Sequence, residues 1–200
     1  MKVFITFSPQ QERLSGFEYE PQENERLAYG KTCFPIIPAI NGYAVPGEPF
    51  RVILVVQDYE FCQNNAAVFH QELRALCEEK GLNCQEVREL HVPFDDQVSS
   101  QREIFLALTD AIRDGDDIHA CITYGSKPAS TTELMVLRFA RQLRKNTYIS
   151  CIVYGQVNFK KGEAKLYDET ALVNLDDIIR VLAQSGTPEP EKVLKNLIKM

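Results

Sequence analysis

No apolar run in this 200-residue chain approaches the roughly 18 residues that a membrane-spanning helix needs. A secretory signal is missing too: Met1-Lys2 leads straight into the strand-like Val3-Phe4-Ile5-Thr6-Phe7, with no longer apolar stretch and no small-residue cleavage site. A cytoplasmic protein without membrane contact is therefore expected. Cysteine pairs of metal or redox type are also absent. The six cysteines (Cys33, Cys62, Cys77, Cys84, Cys121, Cys151) form no CxxC, and no histidine stands at ligand spacing from any of them. We expect reduced thiols, no metal and no cofactor, with Cys121 and Cys151 acting as small buried hydrophobes inside apolar strand patterns.

A basic excess is lacking as well. Lys and Arg number 22 against 28 Asp and Glu, a net charge of −6. Proteins that grip duplex nucleic acid show a basic face, because neutralising phosphates drives the binding. Duplex nucleic acid is thus not an expected partner, whereas a small anion held by local backbone donors is compatible with the charge. Neither the phosphate loop GxxxxGK[ST] nor a GxGxxG after the first strand occurs. The GxSxG elbow and HExxH are missing too. His70 reads as a half-buried helix residue, and His91 and His119 fall in strands. Asp176-Asp177 reads as a solvated first helical turn. No general acid–base pair emerges.

What is present is a regular alternation. Apolar content of 44% and charged content of 25% are ordinary for a globular chain long enough to bury a core. Strands are predicted at 3–7, 51–56, 84–93, 118–125 and 148–155, and helices at 63–80, 98–113 and 130–144. Lys160-Lys161-Gly162 signals a hairpin, and a helix with Asn174 as N-cap is predicted over 174–184. The pattern predicts an α/β fold, a Rossmann-like parallel-sheet sandwich with a C-terminal β-hairpin and helices. Residues 1–184 form the expected domain; 185–200 read as a linker and short connector helix of a longer protein. The stretch 11–49 carries five prolines and is read as a long insertion, a lid or an extension of a dimer interface, with a short helix within 22–30.

In such a sheet the ligand sits outside the carboxyl ends of the strands. That rule selects Ser8, Pro9 and Gln10, then Asp58 and Tyr59, then His91, Val92 and Pro93, which offer few side-chain donors, and then Tyr154, Gly155 and Gln156. The densest candidate is Thr123-Tyr124-Gly125-Ser126-Lys127 followed by Ser130, Thr131 and Thr132. There a strand meets a glycine, a polar loop with one lysine, and a helix start whose free N–H groups suit phosphate. An ordinary N-cap followed by a solvated lysine has the same local sequence.

In their order these motifs resemble those of CRISPR-associated Rossmann fold (CARF) proteins of the Csx type. Thr123 to Lys127 stands where that family has Thr-His-Gly-Phe-Arg-Ser, with Tyr124 in place of histidine and Lys127 in place of arginine. Tyr154-Gly155 resembles the end of the family's next strand, and Tyr167-Asp168-Glu169-Thr170-Ala171-Leu172 its closing segment before a helix. The resemblance implies a homodimer that binds a cyclic oligoadenylate across its two-fold axis and signals to an effector domain fused C-terminally. Cyclic tetra-adenylate is the favoured ring, with hexa-adenylate second. It implies phosphate contacts from Lys127 and helix-start amides, and adenine contacts from Tyr59, Tyr124 or Asn41. The alternative is a metal-independent ring nuclease in which Ser126 and Lys127 assist attack by a ligand 2′-hydroxyl. A small-nucleotide binder or a partner of a transcription regulator is the third reading.

Overall fold

The computed structural model describes residues 1–199, so Met200, the last residue of the expected connector, lies outside the described residues. Five parallel strands make the body of the sheet: β1 (Lys2–Phe7), β4 (Pro49–Gln57), β5 (Asn83–Val92), β6 (Asp117–Cys121) and β7 (Tyr148–Asn158). Their spatial order is β5-β4-β1-β6-β7, so the winding reverses between β1 and β6. Such a reversal leaves a crevice at the strand carboxyl ends. A second group, β8 (Glu163–Asp168), β2 (Phe17–Gln22) and the two-residue β3 (Lys31–Thr32), extends the sheet beyond β7. The result is a mixed, mostly parallel eight-stranded sheet between helices, a Rossmann-like α/β sandwich.

The apolar pattern accounts for the layers. Val52 to Val56 are all buried, because alternate side chains enter opposite cores. Phe4, Val52, Leu54 and Val56 face one core with α1 (Ile36–Tyr43) and α2 (Glu60–Lys80). Val3, Ile5, Ile53 and Val55 face the other, under α3 (Val98–Ala111) and α4 (Lys127–Leu143). Each fully buried Ile or Phe contributes about 1.5–3 kcal/mol. In α2, Cys62, Ala66, Phe69, Leu73 and Leu76 recur at helical spacing, and Gly81 closes the helix in the left-handed conformation.

Most of the stretch 11–49 is regular structure. It contributes β2, β3 and α1 and is built into the sheet and one core. The prolines permit α1 because Pro35 is its N-cap and Pro38 lies in its first turn, where N–H groups have no intrahelical partner. Within 22–30 only the short 3-10 turn Glu25–Leu27 forms. Other boundaries shift too. The strand expected to 125 ends at Cys121, and α4 starts at Lys127, with Ser126 as its cap. Helix α5 (Thr170–Gln184) places Asn174 inside rather than at its cap, where Glu169 stands. The last helix is α6 (Pro190–Ile198). No helix among the described residues is long and apolar enough to cross a membrane.

Candidate functional site

The winding of the sheet sends the chain over the crevice. After β1 it must reach β2 beyond β8, so residues 8–16 pass as a strap across the carboxyl ends of β6 and β7. Buried polar groups fix the strap. Ser8 Oγ donates to the Cys62 carbonyl at 2.6 Å, and Asn65 Nδ2 donates to the carbonyls of Pro9 and Gln11 at 2.9 and 2.8 Å. Gln10 Nε2 donates to Gln57 Oε1 at 2.7 Å.

Beneath the strap lies a cavity of about 210 Å³, lined by Gln11, Arg13, Leu14 and Ser15 above and by Thr123, Tyr124, Gly155 and Val157 below. Phe17, Tyr19 and Phe159 form its aromatic side. Thr123 and Gly155, 32 positions apart in the chain, meet at its floor: Thr123 Oγ1 accepts from the Gly155 amide at 2.8 Å. Gly155 is required there, since a Cβ would stand 2.6 Å from Pro35 Cγ. Tyr124 turns inward and donates its hydroxyl to the Cys33 carbonyl at 2.6 Å. Burial pushes the Tyr19 phenol up to about 12 and the Tyr124 phenol higher still, so both remain protonated at neutral pH.

Next to the cavity the chain makes the turn that caps α4. Gly125 has φ +98°, a conformation that disfavours other residues. Ser126 Oγ accepts from the Ala129 amide at 3.3 Å. Among the described residues, the amides of Tyr124, Gly125, Ser126 and Lys127 donate to no backbone or side-chain acceptor, and Lys127 makes no ion pair. Four consecutive free donors thus lead into α4 beside an exposed ammonium, the kind of groups that suit an anion.

Of the residues expected from sequence, Thr123, Tyr124 and Gly155 line the cavity, and Gly125, Ser126 and Lys127 form the adjoining loop. Ser8, Pro9 and Gln10 anchor the strap. Asp58 and Tyr59 stand at the end of β4, where the Tyr59 ring stacks on Phe94 at 4.4 Å. Ser130, Thr131 and Thr132 are helical; Thr131 Oγ1 donates to the Lys127 carbonyl at 2.9 Å, and Thr132 Oγ1 to Gln101 at 3.1 Å. Tyr154 packs on Tyr167 at 6.4 Å and does not line the cavity. Asn41 lies near the far end of the sheet beside Glu79 and Lys80, with Nδ2 donating to the Ala28 carbonyl at 3.2 Å. Arg13, Phe17, Tyr19 and Phe159 are cavity residues that no sequence motif marks.

Burial favours the protonated form of the thiols. Burial raises all six, Cys33 and Cys151 to about 12 and Cys84 and Cys121 to about 11. No disulfide and no cluster of metal-ligating side chains occurs among the described residues. His119 is fully buried between Phe4 and Tyr43 at 4.8 and 4.6 Å. Its Nε2 lies 3.4 Å from Asp117 Oδ2, but neither ring nitrogen makes an aligned hydrogen bond. No family model and no curated protein matches this chain.

Proposed function

We propose that this chain is a receptor for a cyclic oligoadenylate, with cyclic tetra-adenylate favoured over the hexa-adenylate, and that it passes the signal to an effector. The observation that carries the reading is the loop Tyr124–Lys127, with four free amides and an unpaired lysine beside the crevice where the winding reverses. Arg13 adds a second cation from the strap. Together they supply a local positive field in a chain of net charge −6, which suits a compact phosphodiester and not a long duplex. The choice of ligand class rests on the motif order of Thr123 to Lys127, Tyr154-Gly155 and Tyr167 to Leu172, which resembles that of CARF proteins.

A cavity of about 210 Å³ is smaller than the roughly 300–1,000 Å³ of complete small-molecule sites. It suits a half-site, completed when a second copy places the same loop across a two-fold axis. A ring with matching symmetry then meets two strap arginines and two helix starts. Binding at such a junction biases the angle between subunits, which is the means of relay.

The ring-nuclease reading rests on the same loop. In it a ligand 2′-hydroxyl attacks the adjacent phosphorus, and the bond to the next nucleotide's 5′-oxygen breaks. That oxygen leaves as a hydroxyl with the proton given up by the 2′-oxygen, so that a linear 2′,3′-cyclic phosphate results. Lys127 stabilises the phosphate charge and Ser126 positions the phosphate. Incubation of the chain with each ring, followed by chromatography of the recovered nucleotide, separates the two. Ring retained by the protein and recovered intact supports the receptor. Linear product makes the protein a nuclease, and no retention of either ring overturns both.

A further inference from the structure

The hairpin between β7 and β8 carries an aromatic ring that the turn does not need. Asn158 and Gly162 supply the turn: the Asn158 carbonyl accepts from the amides of Lys161 and Gly162 at 3.1 and 2.9 Å, and Gly162 takes φ +69°. Phe159 between them is 75% exposed, so its ring forgoes the stabilisation that burial gives a phenyl group. The ring nevertheless has an aromatic neighbour. It meets Phe17 edge-on at 5.7 Å and 80°, and Phe17 in turn meets Tyr19 at 6.5 Å and 70°. This ladder of three rings runs from the buried Tyr19 to the hairpin tip, and all three rings and Arg13 line the cavity. Exposed lysines 160 and 161 follow Phe159 directly.

We propose that Phe159, braced by Phe17, is a stacking platform for a nucleobase whose phosphate is held by the cations around the cavity. A rigid exposed ring beside cations is how proteins hold unpaired nucleotides, since every base offers a π-face and each phosphate a charge. Phe159 borders both the cavity and a second depression lined by Lys160, Glu163 and Lys165, so the exposed part of its ring is within reach from two sides. Strap and hairpin flank the cavity from separate parts of the chain and take complementary roles. The strap holds phosphate and the hairpin holds the base. This inference rests on the nucleotide reading of the cavity, but not on the ligand being a ring.

The chain contains no tryptophan, so Phe159→Trp places a single tryptophan on the platform, excited selectively at wavelengths where the tyrosines do not absorb. The exposure of Phe159 means that neither this change nor Phe159→Ala threatens the core. Titration of Phe159→Trp into the millimolar range with adenosine 5′-monophosphate is expected to quench the emission saturably. Ribose 5-phosphate, which has the phosphate and no base, is expected to leave it unchanged. Phe159→Ala is expected to weaken cyclic tetra-adenylate binding by about ten-fold or more. Quenching by the adenosine nucleotide with no binding of either ring keeps the platform and removes the cyclic ligand. Ring binding that Phe159→Ala leaves unchanged, or equal responses to the two phosphates, removes the platform and keeps the receptor.

Discussion

Thr123 Oγ1 accepts the amide hydrogen of Gly155 at 2.8 Å, tying together the ends of β6 and β7 and with them two motifs far apart in sequence. The same hydroxyl oxygen accepts from the Cys121 thiol at 3.3 Å. Thr123→Val keeps the shape and removes the acceptor, leaving the Gly155 amide without a partner. The expected loss is about 1–3 kcal/mol in denaturant unfolding. Thr123→Ser, which keeps the oxygen, is expected to retain most of the stability.

Gly155→Ala tests how tightly the insertion is seated. The added methyl falls 2.6 Å from Pro35 Cγ and 3.0 Å from Tyr19 Cε1. Overpacking of this kind costs about 1–3 kcal/mol. The thermal midpoint should fall, and the fall should shrink when Pro35→Ala is added, because the second change removes the group that is struck. Equal losses in the single and double variants would place the strain elsewhere.

Arg51 is the one charged residue within the central run of β4 and is almost fully buried. Its guanidinium donates to the Asp116 carboxylate and to the Ala111 carbonyl at 2.9 Å. Asp116 also accepts from the Arg113 amide at 2.7 Å. The group therefore ties β4 to the loop between α3 and β6. Arg51→Met leaves a buried carboxylate without its cation, an expected loss of about 3–5 kcal/mol in denaturant unfolding. A loss under about 1 kcal/mol, the range of exposed pairs, would contradict the assignment.

Glu133 gives a pH signature. It is fully buried in α4, neither carboxylate oxygen has a partner, and burial raises its pKa well above the ordinary value of 4.5. The fold thus holds the proton more tightly than the unfolded chain does. Its favourable contribution is complete below about pH 4.5 and declines as pH rises towards the raised value in the fold. Glu133→Gln is expected to raise the melting temperature at neutral pH, with the gain disappearing as the pH is lowered to 4.5. A gain that does not vary with pH would show that the carboxyl is not held neutral.

The parts of the site legible in the sequence are those whose conformation is local. Thr123 to Lys127 follow a strand and precede a helix, and that alone puts free amides at the sheet's carboxyl edge. Arg13 was not legible. Its place over the cavity depends on β2 pairing with β8, as in Tyr19 opposite Ala164, and no periodicity in the first fifty residues encodes so distant a partner. Phe159 was hidden for a similar reason, since it becomes a cavity residue only when Phe17 arrives beside it. Asn41 misled in the opposite way. Asn41 lies in a stretch read as a proline-rich insertion, but the prolines fall where a helix tolerates them, and α1 carries Asn41 to the far end of the sheet. Arg51, read as part of an apolar run, owes its burial to Asp116, 65 residues later.

In the proposed receptor, the Tyr124–Lys127 loop and Arg13 bind the phosphates of a cyclic oligoadenylate shared by two copies of the chain. Isothermal titration with cyclic tetra-adenylate and cyclic hexa-adenylate, run on the natural sequence and on Lys127→Ala and Arg13→Ala, tests it most directly. The account predicts one ring per two chains, with affinity reduced about ten-fold or more by either substitution, as for the loss of a charged hydrogen bond. Absence of heat with both rings, or binding that neither substitution changes, would contradict it.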